Sequence, residues 1–457
     1  MSSLNKRTKQ VPTEVNEVGT PVFKINAKQE LQRLTFAYLL FEDQFYIDGK
    51  RSADKLIEAV GKVSPQFAQQ VAIEARTKYK LRHVPLLITA ALIKNGTATV
   101  DGIAEVIQRA DEMGELLAIY NRDGKRPLAN KLKKGIAKAF LKFNEFQLAK
   151  NDKNSAAYSI RDVMFLTHPK PTNKEQADLF KRIADQDMFV PETWETELSA
   201  GADKKVTFEY LMANNKMGAL AFLRNLRNMS QAGVDRALIR TYGKSVNVDK
   251  VLPYQFITAQ KYAPEFTDML EQMMFKALEN IPKLPGRTVL VVDTSGSMGA
   301  SVSSRSELTR LQAAAAITIL AREICEEVVI YATAGDDRYR KHATMLIPSY
   351  RGFALADFIT GTKVSMQIGG GGIFLLQCMD YIANEEKDDV VDRVIVFTDE
   401  QDTGGRGFEP HNAKRLGKTN YILNVGAYQN GVNHKDWTTV TGFSEATLAY
   451  IAALEGN

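Results

Sequence analysis

The stretch Arg287-Thr-Val-Leu-Val-Val-Asp293-Thr-Ser-Gly-Ser297 joins a continuous apolar run to a short polar turn. Such a run is typical of a parallel strand that is covered on both faces of its sheet. From residue 286 onward, strand-like runs alternate with helix-like segments, which predicts a doubly wound α/β domain over residues 286–457. The predicted strands are 287–292, 327–332, 344–348, 393–397 and 420–425, and the predicted helices are 306–324, 372–384 and 444–454.

Residues 21–285 have another pattern, in which apolar residues recur every three or four positions and strand-like alternation is almost absent. Proline and glycine fall mainly between these segments, as expected where helices end. The pattern predicts paired helices stacked into an α-solenoid, preceded by a polar arm over residues 1–20. The predicted helices are 53–61, 65–78, 84–94, 101–119, 130–149, 174–186, 206–213, 216–230 and 264–280.

The composition of the 457 residues indicates a globular protein of two or three domains. No apolar run reaches the roughly 18 residues that a membrane span needs, and the first residues lack the apolar core of a secretory signal. The two cysteines, Cys325 and Cys378, lie in apolar segments, so we expect buried thiols rather than a disulfide. These features predict a cytoplasmic protein without a membrane partner.

Charge is divided unequally along the chain, whose net charge is +5. Residues 286–457 contain 16 Lys and Arg against 21 Asp and Glu, which leaves 43 against 33 for residues 1–285. A site for a polyanion is therefore expected in the helical half. At helical spacing, four lysines form one stripe, well away from an apolar stripe of Leu132, Ile136, Phe140 and Phe143. The lysines are Lys131, Lys134, Lys138 and Lys142, and they form either a phosphate-binding face or an ordinary solvated one.

Two polar loops, Asp293-Thr-Ser-Gly-Ser297 and Thr398-Asp399, follow predicted strands. Ligands of parallel sheets bind at the carboxyl ends of the strands, so these loops are predicted to meet. Their carboxylate and hydroxyl oxygens suit Mg²⁺, with Ser295 and Ser297 as direct ligands and Asp293 and Asp399 holding bound water. The order of strands, loops and helix resembles the metal-ion-dependent adhesion site of von Willebrand type A domains.

The glycine-rich loop Ile368-Gly-Gly-Gly-Gly-Ile373 departs from that resemblance. The family has a threonine ligand where this chain has Gly371, so we expect Mg²⁺ to bind only weakly. The extra carboxylates of Asp399-Glu-Gln-Asp402 either compensate for the missing hydroxyl or are simply solvated. A type A scaffold with a weak or empty site is an equally open interpretation.

No catalytic residue is assigned. Asp293-Thr-Ser-Gly and Asp402-Thr-Gly404 are similar to the loops of aspartic proteases, but that fold is all-β, whereas this half alternates strands with helices. Ser295 and Ser297 are not set in Gly-x-Ser-x-Gly, and the tetraglycine is not followed by Lys-Ser/Thr as in a phosphate-binding loop. The three histidines of the α/β half, His342, His411 and His434, lack metal-ligand spacing.

The segment Tyr158-Ser-Ile-Arg-Asp-Val-Met-Phe-Leu-Thr-His-Pro-Lys-Pro171 resembles a signature of the TROVE domain of the Ro autoantigen family. Three further stretches are similar to elements of that domain: Phe45-Tyr-Ile-Asp-Gly49, Ala221-Phe-Leu-Arg-Asn-Leu-Arg-Asn-Met229 and Leu252-Pro-Tyr-Gln-Phe256. Few families join a TROVE domain to a type A domain. The combination resembles a Ro protein of bacterial or phage type over roughly residues 20–457.

The resemblance implies a HEAT-like helical ring closed by the type A domain. In that family, single-stranded RNA 3′ ends enter the hole and structured Y RNA lies on the basic outer surface. Carried over to this chain, the RNA contacts are Lys142 and His168, with Arg161 and Lys170 beside them. His168 has an alternative role as a cap or turn residue before Pro169, and Arg161 as a helix-start ion pair.

These features predict a non-catalytic, monomeric RNA-binding protein that holds Y-like non-coding RNA and the single-stranded 3′ ends of misfolded RNA. The resemblance implies a place in RNA quality control or degradation, with an exoribonuclease as partner. The rival interpretation is a protein-interaction module that uses the type A metal site and has the helical half as its scaffold. A hydrolase would need a nucleophile and a base that the sequence does not place together.

Overall fold

A computed structural model describes residues 14–15, 21–22, 26–37, 49–124, 126–152, 156–249, 251, 253–279, 283–302, 308–399, 416–425, 437–441, 447–448, 451–452 and 455. After two short paired strands, β1 (Glu14–Val15) and β2 (Pro21–Val22), these residues are helical as far as residue 278 and mixed α/β beyond it. The predicted fold class, a helical region followed by an α/β domain, is confirmed. None of the described helices is long and apolar enough to cross a membrane.

The chain forms two compact units, one of residues 26–36 and 50–216 and one mainly of residues 217–457. The helices between residues 217 and 278 therefore belong to the same unit as the sheet. The predicted boundary at 285/286 instead coincides with the change in element type, since the first strand of the sheet begins at Leu284.

The first unit is built from twelve helices among the described residues. They are α1 (Ala27–Ala37), α2 (Gly49–Gly61), α3 (Pro65–Thr77), α4 (His83–Lys94), α5 (Val100–Val106), α6 (Asp111–Tyr120), α7 (Asn130–Phe140), α8 (Glu145–Asn151), α9 (Ile160–Thr167), α10 (Lys174–Asp185), α11 (Trp194–Ser199) and α12 (Lys204–Ala213).

Two segments predicted as single helices, 101–119 and 130–149, are each divided in two. The chain turns at Ile107, whose backbone is extended (φ −76°, ψ 109°), and the carboxylate of Glu112 accepts hydrogen bonds from the freed N–H groups of Gln108 and Arg109. The second break lies before α8, where Asn144 and Gln147 form a reciprocal capping box. Both breaks are made by polar side chains that satisfy backbone groups at helix ends.

The apolar stripe predicted on α7 is buried, with Leu132 and Ile136 at 0% exposure. The helix packs closely on α5, because a Cβ at Gly135 would lie only 2.5 Å from Cγ2 of Ile103. Glycine at this position therefore allows the two helices to approach. The lysines predicted on the other stripe do not all face away from this contact, since Lys131, Lys138 and Lys142 reach α5 or the loop before it.

The second unit begins with α13 (Ala219–Gln231), α14 (Arg236–Ser245), α15 (Pro253–Tyr262) and α16 (Thr267–Leu278). Its sheet consists of β3 (Leu284–Asp293), β4 (Cys325–Asp336), β5 (Lys341–Leu346), β6 (Arg393–Thr398), β7 (Thr419–Asn424) and β8 (Thr438–Thr441). The helices among these strands are α17 (Arg310–Ile324), α18 (Gly352–Thr360), α19 (Thr362–Ile368) and α20 (Leu375–Glu385).

The strand order is β5-β4-β3-β6-β7-β8, parallel except for the edge strand β5. Strand β3 lies in the middle, and Val289 to Val292 are fully buried, as the continuous apolar run predicts. Cys325 and Cys378 are buried free thiols, which confirms that prediction too. This topology brings the ends of β3 and β6, and therefore the two polar loops, to one edge of the sheet.

Candidate functional site

A cavity of about 400 Å³ lies between α13 and α15 in the second unit. Its lining combines cationic, aromatic and amide side chains: Leu220, Leu223, Arg224, Leu226, Arg227, Asn228, Tyr254, Gln255, Thr258, Ala259 and Tyr262. The cationic and amide groups come mainly from one face of α13. The opposite face of that helix is anchored in the core by Phe222 and Met229, both at 0% exposure.

Two arginines of α13, Arg224 and Arg227, are exposed at the cavity and have no carboxylate partner among the described residues. The guanidinium carbon of Arg227 lies 5.9 Å from the ring centroid of Tyr262. Buried Asn225 accepts a hydrogen bond of 2.9 Å from the side chain of Asn228 and so orients it. The cavity therefore presents positive charge that no acidic group of the described chain neutralises.

Aromatic surface lies beside this charge. Tyr262 is 39% exposed, and Tyr254 also lines the cavity. Lys261 adds a second cation 5.7 Å from the ring of Tyr262. Guanidinium groups bind phosphate, and tyrosine rings stack on bases that are not paired, so this combination suits single-stranded nucleic acid.

A second cavity, of about 510 Å³, shares Thr258 and Tyr262 with the first. It extends from α15 to α17 and α18, where Gln312 and Phe353 are among its lining residues. Both cavities lie within the second compact unit. Helix α15 is thus a wall common to the two.

In the first unit, the residues predicted from the TROVE resemblance lie on and after α9. The Nε of Arg161 donates to the carbonyl of Ala184 at 2.9 Å, and its guanidinium lies 5.0 Å from the ring of Phe165, which is 49% exposed. Arg161 is therefore not the helix-start ion pair considered above. Its contacts leave a cation and an aromatic ring together on the surface.

His168 ends α9 in the left-handed conformation (φ 51°, ψ 55°), and its N–H donates to the carbonyl of Met164. The alternative role of a capping residue is thus confirmed for its backbone. Its imidazole is exposed, as is Lys170, and neither side chain has a partner among the described residues. Whether these side chains contact RNA stays a prediction.

The four lysines of the predicted stripe differ in their surroundings. Lys131 donates to the carbonyl of Gly96, and Lys138 forms an ion pair with Asp101 at 2.8 Å. The ammonium of Lys142 donates to the carbonyls of Ala104 and Ile107 at 2.6 and 2.5 Å, at the end of α5. Burial lowers the pKa of Lys142. Lys134 is exposed and has no partner in the described part of the chain.

At the edge of the sheet, Asp293 is fully buried. Its two carboxylate oxygens accept hydrogen bonds from the N–H of Ser295 (2.8 Å) and the hydroxyl of Thr398 (2.6 Å). The hydroxyls of Ser295 and Ser297 are 3.3 Å apart. Burial and the neighbouring Asp399 carboxylate raise the pKa of Asp293 to about 7. The structure thus brings together the four residues predicted as metal ligands.

Two features of this edge do not fit a magnesium site. Asp399 is fully buried and forms an ion pair with Arg310 at 2.9 Å. Gly371 supplies no hydroxyl, and a Cβ there would lie 2.6 Å from the carbonyl oxygen of Gly335. The described residues contain no cluster of three or more His, Cys, Asp or Glu side chains that could hold a metal.

The described residues add no support for the enzyme interpretations. The imidazole of His342 lies 3.0 Å from the hydroxyl of Thr344, and burial lowers its pKa. His411, His434, Glu400 and the loop Asp402-Thr-Gly404 lie outside the described residues, as do most of the Phe45–Gly49 element and Leu252.

Sequence reasoning missed the cavity of α13 and α15. The resemblance identifies the segment 221–229 only as an element of the TROVE domain and assigns no role to its charges. The spacing of Arg224, Arg227 and Asn228 places them on one helical face, which could have been read from the sequence. The tyrosines of α15 could not, because only tertiary packing brings them to this face.

Comparison with known proteins supports the TROVE resemblance. The TROVE domain matches residues 185–344, a range that includes the arginine cavity and the Asp293 loop but not the segment 158–171. Telomerase protein component 1 of Mus musculus is 32% identical over 138 residues, which make up 28% of this chain. This chain spans only 5% of that relative's length.

A solved structure is similar over nearly the whole chain. The crystal structure of the Ro (RSR) protein of Deinococcus radiodurans has a TM-score of 0.62 to this structure, at 17% identity. The similarity covers 94% of this chain and 99% of the other. Its order of a helical region and a type A α/β domain is the order found here. The chain thus combines a TROVE match over residues 185–344 with the fold of a Ro protein.

Proposed function

We propose that this protein binds RNA and holds single-stranded 3′ ends in the cavity of α13 and α15. The observation that carries the proposal is the pairing of Arg224 and Arg227, which have no carboxylate partner in the described chain, with the tyrosine rings of that cavity. Arginine supplies sequence-independent attraction to phosphate, and tyrosine accepts any unpaired base. The TROVE match supports an RNA partner in general, because proteins with this domain bind RNA.

A second surface, in the first unit, would take structured, Y-like non-coding RNA. It consists of Arg161, His168 and Lys170 around α9, with the exposed ring of Phe165. Lys134 adds an exposed cation on α7. On this proposal the protein is a cytoplasmic, monomeric, non-catalytic component of RNA quality control that retains misfolded RNA, with an exoribonuclease as partner.

The test uses fluorescence anisotropy on a duplex with a 3′ tail, the same duplex with blunt ends and one with a 5′ tail, across a salt series. We expect the 3′ tail to bind most tightly. Replacing Arg224 and Arg227 together by Ala should reduce the log–log salt slope by about 1.4, because each phosphate contact on a single strand contributes roughly 0.7. Arg236→Ala, an exposed arginine outside the cavity lining, is the matched control.

Tyr262→Leu separates stacking from charge. It should weaken binding of the tail by about 1–3 kcal/mol for each base that stacks, and leave the salt slope unchanged. Equal affinity for the three substrates, or a double arginine variant that behaves like Arg236→Ala, would contradict the proposal and leave only nonspecific attraction.

A further inference from the structure

The edge of the type A sheet contains a buried cation of its own. Arg310, the first residue of α17, is 3% exposed, and its Nη1 lies 2.9 Å from Oδ2 of Asp399. The same nitrogen donates to the carbonyl of Ser297 at 3.3 Å. A buried guanidinium is costly unless it is paired, and here its partners are the residues that a metal ion would need.

The backbone of α17 holds Arg310 in this place. Thr309 and Gln312 form a capping box, in which each side chain accepts a hydrogen bond from the backbone N–H of the other. The N–H of Arg310 itself donates to the carbonyl of Ala300 at 2.9 Å. The guanidinium is thus positioned by the start of the helix, and its contact with Asp399 does not depend on a flexible surface side chain.

The tetraglycine loop has no room for the hydroxyl ligand that type A domains supply from this position. Gly371 is bound to both neighbouring loops, since its N–H donates to Gly335 at 3.0 Å and its carbonyl accepts from Gly296 at 3.3 Å. A side chain on Gly371 would also approach the N–H of Asp337 to 3.1 Å. The close approach of the loops therefore excludes a side chain at position 371. A threonine there would require the loops to separate.

We propose that Arg310 takes the place of a divalent metal in this site, so that the site is complete without magnesium. The positive charge that would neutralise Asp399 comes from the chain itself, and both oxygens of Asp293 already accept hydrogen bonds from Ser295 and Thr398. A divalent ion beside Asp399 would be repelled by the adjacent guanidinium in a medium of low dielectric constant. This chain could then not perform the rival function, in which a bound metal ion binds the carboxylate of a partner protein.

The test is a titration of the full chain with Mn²⁺, followed by electron paramagnetic resonance, and with Mg²⁺, followed by calorimetry. We expect no saturable site below about 1 mM in the natural protein, a range in which even weak extracellular cation modules bind. Arg310→Gln leaves Asp399 without its cation and should increase affinity for Mn²⁺ at least about tenfold. In this variant alone, Mg²⁺ should raise the thermal unfolding temperature.

Arg322→Gln is the matched control, because it removes the same charge from the last turn of the same helix. Arg310→Lys, which keeps a cation at the site, should remain without metal. Micromolar binding by the natural protein that is lost on Asp293→Ala would overturn the proposal. Equal metal affinity in Arg310→Gln and Arg322→Gln would also overturn it. If Arg310→Gln does not fold, the titration of the natural protein still decides.

Discussion

Lys142 shows how a cationic side chain on a predicted RNA-binding face can have a structural role. Its ammonium donates to two carbonyls at the end of α5, where helix carbonyls lack partners within the helix. Helical spacing predicts that Lys142 shares a face with Lys134. Only the fold shows that the C-terminal end of α5 lies beside Lys142. Charge alone therefore does not tell which lysine is available to phosphate.

We expect Lys142→Ala to lower the free energy of unfolding by about 1 kcal/mol, because two carbonyls lose a charged donor. The same change should alter the salt dependence of RNA binding little. Lys134→Ala, the control at an exposed lysine of α7, should leave stability unchanged. Urea unfolding and RNA titration of both variants measure the difference. A shallower salt slope in Lys142→Ala, with unchanged stability, would show that its ammonium contacts phosphate after all.

At the scale of elements, the turn between α5 and α6 depends on one buried ion pair. The carboxylate of Glu112, at 0% exposure, accepts from the guanidinium of Arg76 at 2.6 Å and from the N–H groups of the turn. The pair thus joins α3 to the break that divides the predicted helix 101–119. Removing one partner leaves the other buried and charged, which costs more than the pair itself contributes.

Glu112→Gln should therefore lower the free energy of unfolding by about 3 kcal/mol. Asp101→Asn is the control, since it breaks the exposed pair with Lys138 and should cost less than about 1 kcal/mol. Chemical denaturation followed by circular dichroism gives both values. Equal losses in the two variants would mean that the buried pair does not hold the turn.

The ends of helices at such turns are predicted from the sequence only in part. Helical spacing gave the positions of α3, α4 and α10 to within about two residues, a precision usual for helix ends. It could not give the breaks before α6 and α8, because the hydrogen bonds of Glu112 and Asn144 to the backbone compete with helix continuation only in the folded chain. The helices α1, α9, α11, α14, α15, α18 and α19 were not predicted. The shortest of them, α11 and α19, have six and seven residues, which leave little periodicity to detect.

The candidate site was predicted unevenly for a similar reason. Loops at strand ends are brought together by topology, so the sequence correctly predicted that Asp293 and Asp399 share one edge. The ion pair of Asp399 with Arg310 was not predicted, because it depends on where the first turn of α17 lies against that edge. Residues that meet by topology can be inferred from order, whereas residues that meet by packing cannot.

For the whole molecule, the compact units show where the chain can be cut. Helix α16 packs on α18, where Glu271 accepts from the N–H of Phe353 at 3.0 Å and Arg351 lies 4.8 Å from the ring of Phe275. A fragment that ends at residue 285 keeps α16 but loses these partners. A fragment that ends at residue 216 keeps the first unit whole and removes residues 217–457, the main part of the second.

We expect the fragment 1–285 to expose apolar surface, bind a hydrophobic dye and unfold at lower temperature than the whole chain. The fragment 26–216 should be soluble and unfold in one cooperative transition, because it keeps its own core. Dye fluorescence and calorimetry compare the two. A fragment 1–285 that is monomeric and as heat-stable as the whole chain would contradict the division found here.

Helix α15 connects the two cavities of the second unit, since Thr258 and Tyr262 line both of them. One cavity carries the arginines of α13, and the other reaches Gln312, two residues from the arginine that pairs with Asp399. Any shift of α15 that widens one cavity alters the other. Two ligands that favour different positions of α15 would therefore be thermodynamically linked, and the linkage would be reciprocal. A ligand that orders α15 from the side of the sheet would change RNA affinity without touching RNA.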